Sequence, residues 1–193
     1  MKPVRIIGIN GSPRKAGSTD TLMRWVLEGC AEAGAETEVI DIVDYSIEYC
    51  RGCSRCLREG RCHIPDDYPI VFEKLSAADG IVVGSPVYEG MPTAQLKTLF
   101  DRMTLLNLYA ATFGDKLSVG VATSGIAPTR GTARTAAGMF GAVVGIIGAK
   151  TATLKGGMKH LEERHHPKLP ERARKLGRKL VRKVASSEGR RFS

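Results

Sequence analysis

Four of the chain's five cysteines fall within thirteen residues, as Cys50, Cys53, Cys56 and Cys62, in the spacing C-x2-C-x2-C-x5-C. Three thiolates at consecutive x2 spacing converge on one compact centre if the loop that carries them curls. Gly52 and Gly60 stand where such a curl needs backbone free of Cβ strain. Iron–sulfur clusters are gripped by runs of this kind, with a fourth cysteine arriving a few residues later. Structural zinc more often uses two separated C-x2-C knuckles or a late pair of histidines. The spacing favours iron–sulfur over zinc and leaves both open.

Arg51, Arg55, Arg58 and Arg61 interleave these cysteines. Their charge predicts thiolate forms and a raised cluster potential. It also suits docking of an acidic electron carrier such as a ferredoxin, although a solvated basic loop accounts for it equally well. The other metal-type residues read more plainly. Cys30 shares a helical face with Leu22 and Val26 and is expected as a core thiol. His63 reads as a polar loop residue, and His160, His165 and His166 as solvated residues of a basic tail. No Ser-His-Asp set and no paired catalytic carboxylates stand out.

A second group of residues points to a phosphate. The apolar run Val4–Asn10 leads into Gly11-Ser12-Pro13-Arg14-Lys15-Ala16-Gly17-Ser18-Thr19, and a helix follows with Leu22, Val26 and Cys30 on one face. Strand, glycine- and serine-rich loop, then helix is the layout of an anion site, with backbone N–H groups and the hydroxyls of Ser12, Ser18 and Thr19 turned to the ligand. Arg14 adds charge-assisted hydrogen bonds. A plain βα turn with a hydroxyl N-cap accounts for one of these groups, not for three beside Arg14 and Lys15. Neither G-x-x-x-x-G-K-[ST] nor G-x-G-x-x-G is present.

The elements that must position both groups alternate. Strands are expected at 4–10, 36–41, 80–85, 116–123 and 149–154. Helices are expected after the first loop, at 68–76, 93–109 and 132–147, and in the tail, where Leu169, Ala173, Leu176, Leu180 and Val184 recur at helical spacing. Such alternation implies an α/β protein with a doubly wound, five-stranded parallel sheet. The order 2-1-3-4-5 places ligands at the carboxyl edge of the strands. Three loops fall there, 11–19, 85–91 and 123–131, which suits one phosphate-bearing ligand held by all three. The cysteine run lies in a long irregular insertion after strand 2, which ligation would order.

The 193 residues suit one core, and the net charge of +9 is uneven. Residues 155–193 carry thirteen Lys or Arg against four Asp or Glu, while the basic and acidic residues of 1–154 cancel. A neutral body with a basic, apolar-striped tail reads as a surface helix or subunit contact rather than as a nucleic-acid site. No apolar run reaches eighteen residues, so no membrane span is expected. The N-terminus shows no secretory pattern, and clustered cysteines outside the secretory route are metal-binding or redox-active, so a cytoplasmic location is expected.

These motifs together carry a family likeness. Gly11-Ser-Pro-Arg-Lys-x-Gly-Ser-Thr19, the four-cysteine run, Asp66-Asp67, Ala78-Asp-Gly-Ile-Val-Val-Gly-Ser-Pro-Val-Tyr88, Gln95-Leu-Lys97 and Phe100-Asp-Arg102 resemble the iron–sulfur flavoproteins. Those belong to the NADPH-dependent FMN reductase group, with a flavodoxin-like fold. The likeness covers roughly residues 4–155. It implies a flavodoxin-like FMN-binding domain over 1–155, including a cluster loop at 48–67, while charge and helical spacing set apart a basic C-terminal segment at 156–193 with a helix at about 168–186. It implies FMN with its phosphate on Ser12, Arg14, Ser18 and Thr19, its ring against Pro86, Val87, Tyr88 and Glu89, and Ser124 and Gly125 at the far edge. It further implies a 4Fe-4S cluster on Cys50, Cys53, Cys56 and Cys62, and homodimers or homotetramers. The implied function is electron transfer between a ferredoxin or NAD(P)H donor and a small acceptor. A cluster-free NAD(P)H-dependent FMN or quinone reductase is the alternative.

Overall fold

The structure, a computed structural model, describes residues 3–110, 113, 115–151, 153–154, 157–158, 160–162 and 165–191. Its centre is a parallel sheet of β1 (Arg5–Asn10), β2 (Glu36–Asp41), β3 (Gly80–Pro86), β4 (Leu117–Ser124) and β5 (Ala142–Lys150), in the order β2-β1-β3-β4-β5. This is the doubly wound, flavodoxin-like arrangement expected from the alternation, with its switch point between β1 and β3. β1, β3 and β4 are buried on both faces, as near-continuous apolar runs require.

Period-two alternation divides the core between the faces. Ile6 and Val82 pack on one side with α1 (Ser18–Glu32) and α6 (Leu169–Arg191). Ile7, Ile9, Ile81 and Val83 pack on the other, with α3 (Tyr68–Ser76), α4 (Ala94–Ala110) and α5 (Arg130–Gly138). A short helix, α2 (Arg55–Glu59), lies inside the cysteine loop and packs on α4. Two short antiparallel strands, β6 (Thr153–Leu154) and β7 (Gly157–Met158), precede α6.

Helix α6 shares a core with the body of the protein. Its Ala173, Leu180, Val181 and Val184 sit against Leu22, Trp25, Val26 and Cys30 of α1. Gly29 and Gly177 let the two backbones meet: a Cβ on Gly29 would strike the Arg174 carbonyl, and one on Gly177 the Val26 carbonyl. Arg174 and Arg178 then bridge to Glu28 and Glu32 along the rim. The alternating basic and apolar pattern of the tail is thus a buried stripe with a charged outer face.

One stretch departs from expectation. The helix expected over 132–147 ends at Gly138, and the last sheet strand is Ala142–Lys150 rather than 149–154. Gly141, at φ +130°, breaks the chain between them. Val143, Val144, Ile146 and Ile147 are β-branched and lose side-chain freedom in a helix, so the sheet takes them. The insertion after β2 is also less irregular than expected, since α2 lies within it.

Candidate functional site

Three loops leave the carboxyl ends of β1, β3 and β4 and are tied together by hydroxyls. Thr93, just before α4, donates from Oγ1 to the Gly11 carbonyl at 2.6 Å, and its N–H is held by Ser85 Oγ at 3.0 Å. Thr19 and Thr123 share a buried hydroxyl–hydroxyl bond of 2.7 Å. Val87 N–H donates to the Thr123 carbonyl at 2.9 Å, and Thr132 Oγ1 to the Gly90 carbonyl at 2.8 Å. All of these bonds except Ser85–Thr93 cross between loops, so the loops form one rim.

The expected phosphate residues all stand on this rim, and the Ser12 and Ser18 hydroxyls accept from backbone N–H groups while keeping their own O–H donors for a ligand. Ser12 is buried and its Oγ accepts from Arg14 N–H at 3.1 Å. Ser18 Oγ accepts from Leu161 N–H at 3.0 Å, while Thr19 is taken by Thr123. The rim also offers an anion its backbone. The N-cap of α1 is Gly17, and no side chain caps the helix, leaving first-turn N–H groups for an anionic ligand. Asp20 would repel that charge, but Arg24 holds it at 2.8 Å. Arg14 is exposed beside the loop.

The expected ring residues line the second and third loops. Pro86 ends β3, and Tyr88 to Met91 closes a tight turn in which Tyr88 and Met91 exchange backbone hydrogen bonds. Glu89 (φ +49°) and Gly90 (φ +77°) both take left-handed backbone there, as a type I′ turn requires. Tyr88 stays 47% exposed, so its ring is free to cover a ligand rather than being buried under α4. Ser124 is buried and its Oγ accepts from Ala127 N–H at 2.8 Å, with Gly125 half-buried beside it. These features fit a flat aromatic ligand carrying a phosphate.

The cysteine loop is held at its neck. Ser46 and Glu48 N–H groups donate to Asp67 and Asp66, each at 2.8 Å, which staples the loop's entry to its exit. From α4, Arg102 grips both: Nη1 reaches the Glu48 carbonyl at 2.8 Å and Asp66 Oδ2 at 2.5 Å, and Nη2 reaches Asp66 Oδ1 at 3.2 Å. Its guanidinium also lies over the Tyr68 ring, 4.6 Å from the centroid. Both charged side chains are buried, at 0% and 3% exposure. Burial opposes the Asp66 charge, but the bonds from Arg102, Glu48 and Tyr68 outweigh it and hold the carboxyl below the usual range.

Beyond the neck, Cys50, Cys53, Cys56 and Cys62 all line one recess, closed by His63, Ile64 and Arg102. Gly52 (φ +63°) and Gly60 (φ +67°) supply the curl, as their placement predicts, and Ser54 adds a third left-handed residue at φ +58°. Cys50 and Cys53 are exposed, Cys56 and Cys62 half-buried. Among the described residues, no three His, Cys, Asp or Glu side chains are gathered tightly enough for a single metal ion. A multi-iron cluster spreads its ligand sulfurs more widely than one ion does, and four thiols on one concave wall suit it in kind and number.

The interleaving arginines face solvent. Arg55 pairs with Glu59 at 2.9 Å, and all four arginines are exposed. Burial, with the Cys62 sulfur next, pushes the Cys56 thiol up rather than down. Cys30 is the core thiol foreseen, fully buried and pushed up to about 12 by burial.

Ala16, Ser54 and Glu89 are the non-glycine residues with positive φ among the described residues, one in each of the phosphate, cysteine and ring loops. Strained backbone gathers where a site requires it. Thr93, Thr123, Asp66 and Arg102 hold these loops and were given no role from sequence. For Arg102 a signal was there, since it follows Leu96 and Leu99 on the inward side of α4, where a charge needs a buried partner.

Comparison with known proteins agrees with this frame. The family model for NADPH-dependent FMN reductase matches residues 4–160. The chain belongs to that family. It is 47% identical over 105 residues to an iron-sulfur flavoprotein of Methanocaldococcus jannaschii, covering 54% of either chain. It is 41% identical over 121 residues to an iron-sulfur flavoprotein of Methanosarcina thermophila, covering 63% of this chain and 62% of that one. The chain thus spans between half and two thirds of the length of these relatives. In fold it is similar to an NAD(P)H:quinone oxidoreductase from Methanothermobacter marburgensis, with a TM-score of 0.68 at 20% identity over 93% of this chain and 96% of that one. An archaeal flavodoxin superposes with a TM-score of 0.59 at 15% identity, over 94% and 99%.

Proposed function

We propose that this protein is a two-centre redox flavoprotein, with FMN on the rim of the sheet and a 4Fe-4S cluster on Cys50, Cys53, Cys56 and Cys62. It would carry electrons between a ferredoxin or NAD(P)H donor and a small acceptor. The observation that carries this reading is helix α4. At its start Thr93 ties the phosphate loop, and at Arg102, about 13 Å further along at 1.5 Å per residue, it holds the cysteine loop. One rigid strut therefore fixes both candidate sites to each other.

When bound, FMN takes two electrons as a hydride and gives them up singly, and a cluster passes one at a time. The chain's own residues position and tune. The Gly17–Thr19 backbone, the Ser12 and Ser18 hydroxyls and Arg14 hold the phosphate, and Tyr88 and the Glu89–Gly90 turn cover the ring. The hydroxyl bonds Thr19–Thr123 and Thr93–Gly11 keep the rim from moving when charge changes on it. Exposed apolar groups at Tyr88, Met91 and Ile126 support burial of this edge against the ring or against a second copy, in a homodimer or homotetramer. The exposed arginines of the cysteine loop support docking of an acidic electron carrier.

Among the described residues no helix is long and apolar enough to cross a membrane. The free thiols support work in a reducing compartment, the cytoplasm. Anaerobic purification with iron, sulfide and FMN counts tests the whole reading. About four irons and one FMN per chain are expected. Zinc without iron contradicts it, and flavin alone leaves the cluster-free reductase.

A further inference from the structure

Arg102 uses two of its three nitrogens on the loop neck. The third, Nε, is buried and has no hydrogen-bond partner. An unsatisfied charged donor in a closed site is costly, so such a group calls for an acceptor. Arg102 lines the same recess as the four cysteines, whose sulfurs are acceptors in that wall. Cys62 is half-buried and lines that recess with its chain neighbours His63 and Ile64. Cys53 is engaged elsewhere, with His63 Nδ1 at 4.0 Å.

We infer that Arg102 is a positioning residue for the cysteine recess. Its Nη atoms lock the loop's neck to α4, and its Nε–H donates to the Cys62 sulfur, seating that thiol toward the other three. The neck is a property of the protein alone, whereas the sulfur contact rests on the reading that the cysteines hold a cluster. A hydrogen bond to a ligand sulfur raises a cluster's potential, because it stabilises the extra electron.

The test uses Arg102→Lys, which keeps a charge for Asp66 and removes Nε. If that variant does not fold, the double variant Asp66→Leu/Arg102→Met, which removes both charges together, replaces it. In iron-free protein, trypsin cleavage after Arg51, Arg55, Arg58 and Arg61 reports the neck, with a several-fold faster cut expected in the variant. In the iron-loaded protein the cluster's midpoint potential reports the sulfur contact. A roughly tenfold shift toward the oxidised form is expected, ~59 mV for one electron, with FMN content unchanged. Equal cleavage of wild type and variant overturns the inference. Faster cleavage with an unshifted potential reduces Arg102 to a brace and overturns the sulfur contact. A wild-type protein that takes up no iron refutes the two-centre reading and with it the contact, while cleavage still decides the neck.

Discussion

The rim of the sheet and the cysteine loop are ordered by opposite means. On the rim, strands buried on both faces end in short loops tied by hydroxyl hydrogen bonds, so the surface exists before any ligand arrives. The cysteine loop owes its order to a neck of two aspartates and one buried arginine, and three of its positions are left-handed. Beyond that neck its thiols are half-buried or exposed. The first site is a consequence of the fold. The second is an insertion pinned at one point.

Breaking the pin has the largest expected effect. Asp66→Asn leaves Arg102 charged, buried and unpaired, and should cost about 3–5 kcal/mol in denaturant unfolding. The same pair sets an acid limit. Because the folded carboxyl titrates below its unfolded value near ~3.9, its contribution is full above that pH and is lost as pH falls through the folded pKa. Wild-type stability should therefore drop more steeply below about pH 4 than that of Asp66→Asn. Equal slopes would show that the pair does not govern the neck.

Next in size is the close approach behind the rim. Gly177→Ala forces α6 off the Val26 carbonyl, and a loss of roughly 1–3 kcal/mol is expected, read as a lower thermal midpoint. On the rim itself, Thr19→Val strands the Thr123 hydroxyl and should cost about 1–3 kcal/mol. It should weaken FMN retention while leaving any iron count intact, which is the sharpest contrast with Asp66→Asn. The smallest effect is expected at Gly60→Ala, about 1–2 kcal/mol for a Cβ at positive φ, confined to the cysteine loop.

The contrast also explains what could be read from the residues alone. The strands of the rim announce themselves as β-branched apolar runs, and the Gly-Ser-Thr loop after β1 follows from them. The β5 region misled because small residues at 132–147 carry no clear period, although Val143, Val144, Ile146 and Ile147 held the strand signal. The thiol spacing and its two glycines were legible. The Arg102–Asp66 pin was not, because its partners stand 36 residues apart and meet only when α4 packs. The surroundings of Cys56 and Arg55 were hidden for a similar reason. Spacing says nothing of burial at Cys56 or of Glu59 beside Arg55.

The central claim is that one chain carries two separable redox sites, and Cys56→Ser tests it most directly. Metal and flavin are counted after anaerobic purification of wild type and variant. The account predicts that the variant loses its iron and keeps one FMN per chain with an unchanged flavin spectrum. Iron retained at the wild-type level, or flavin lost together with iron, would contradict it.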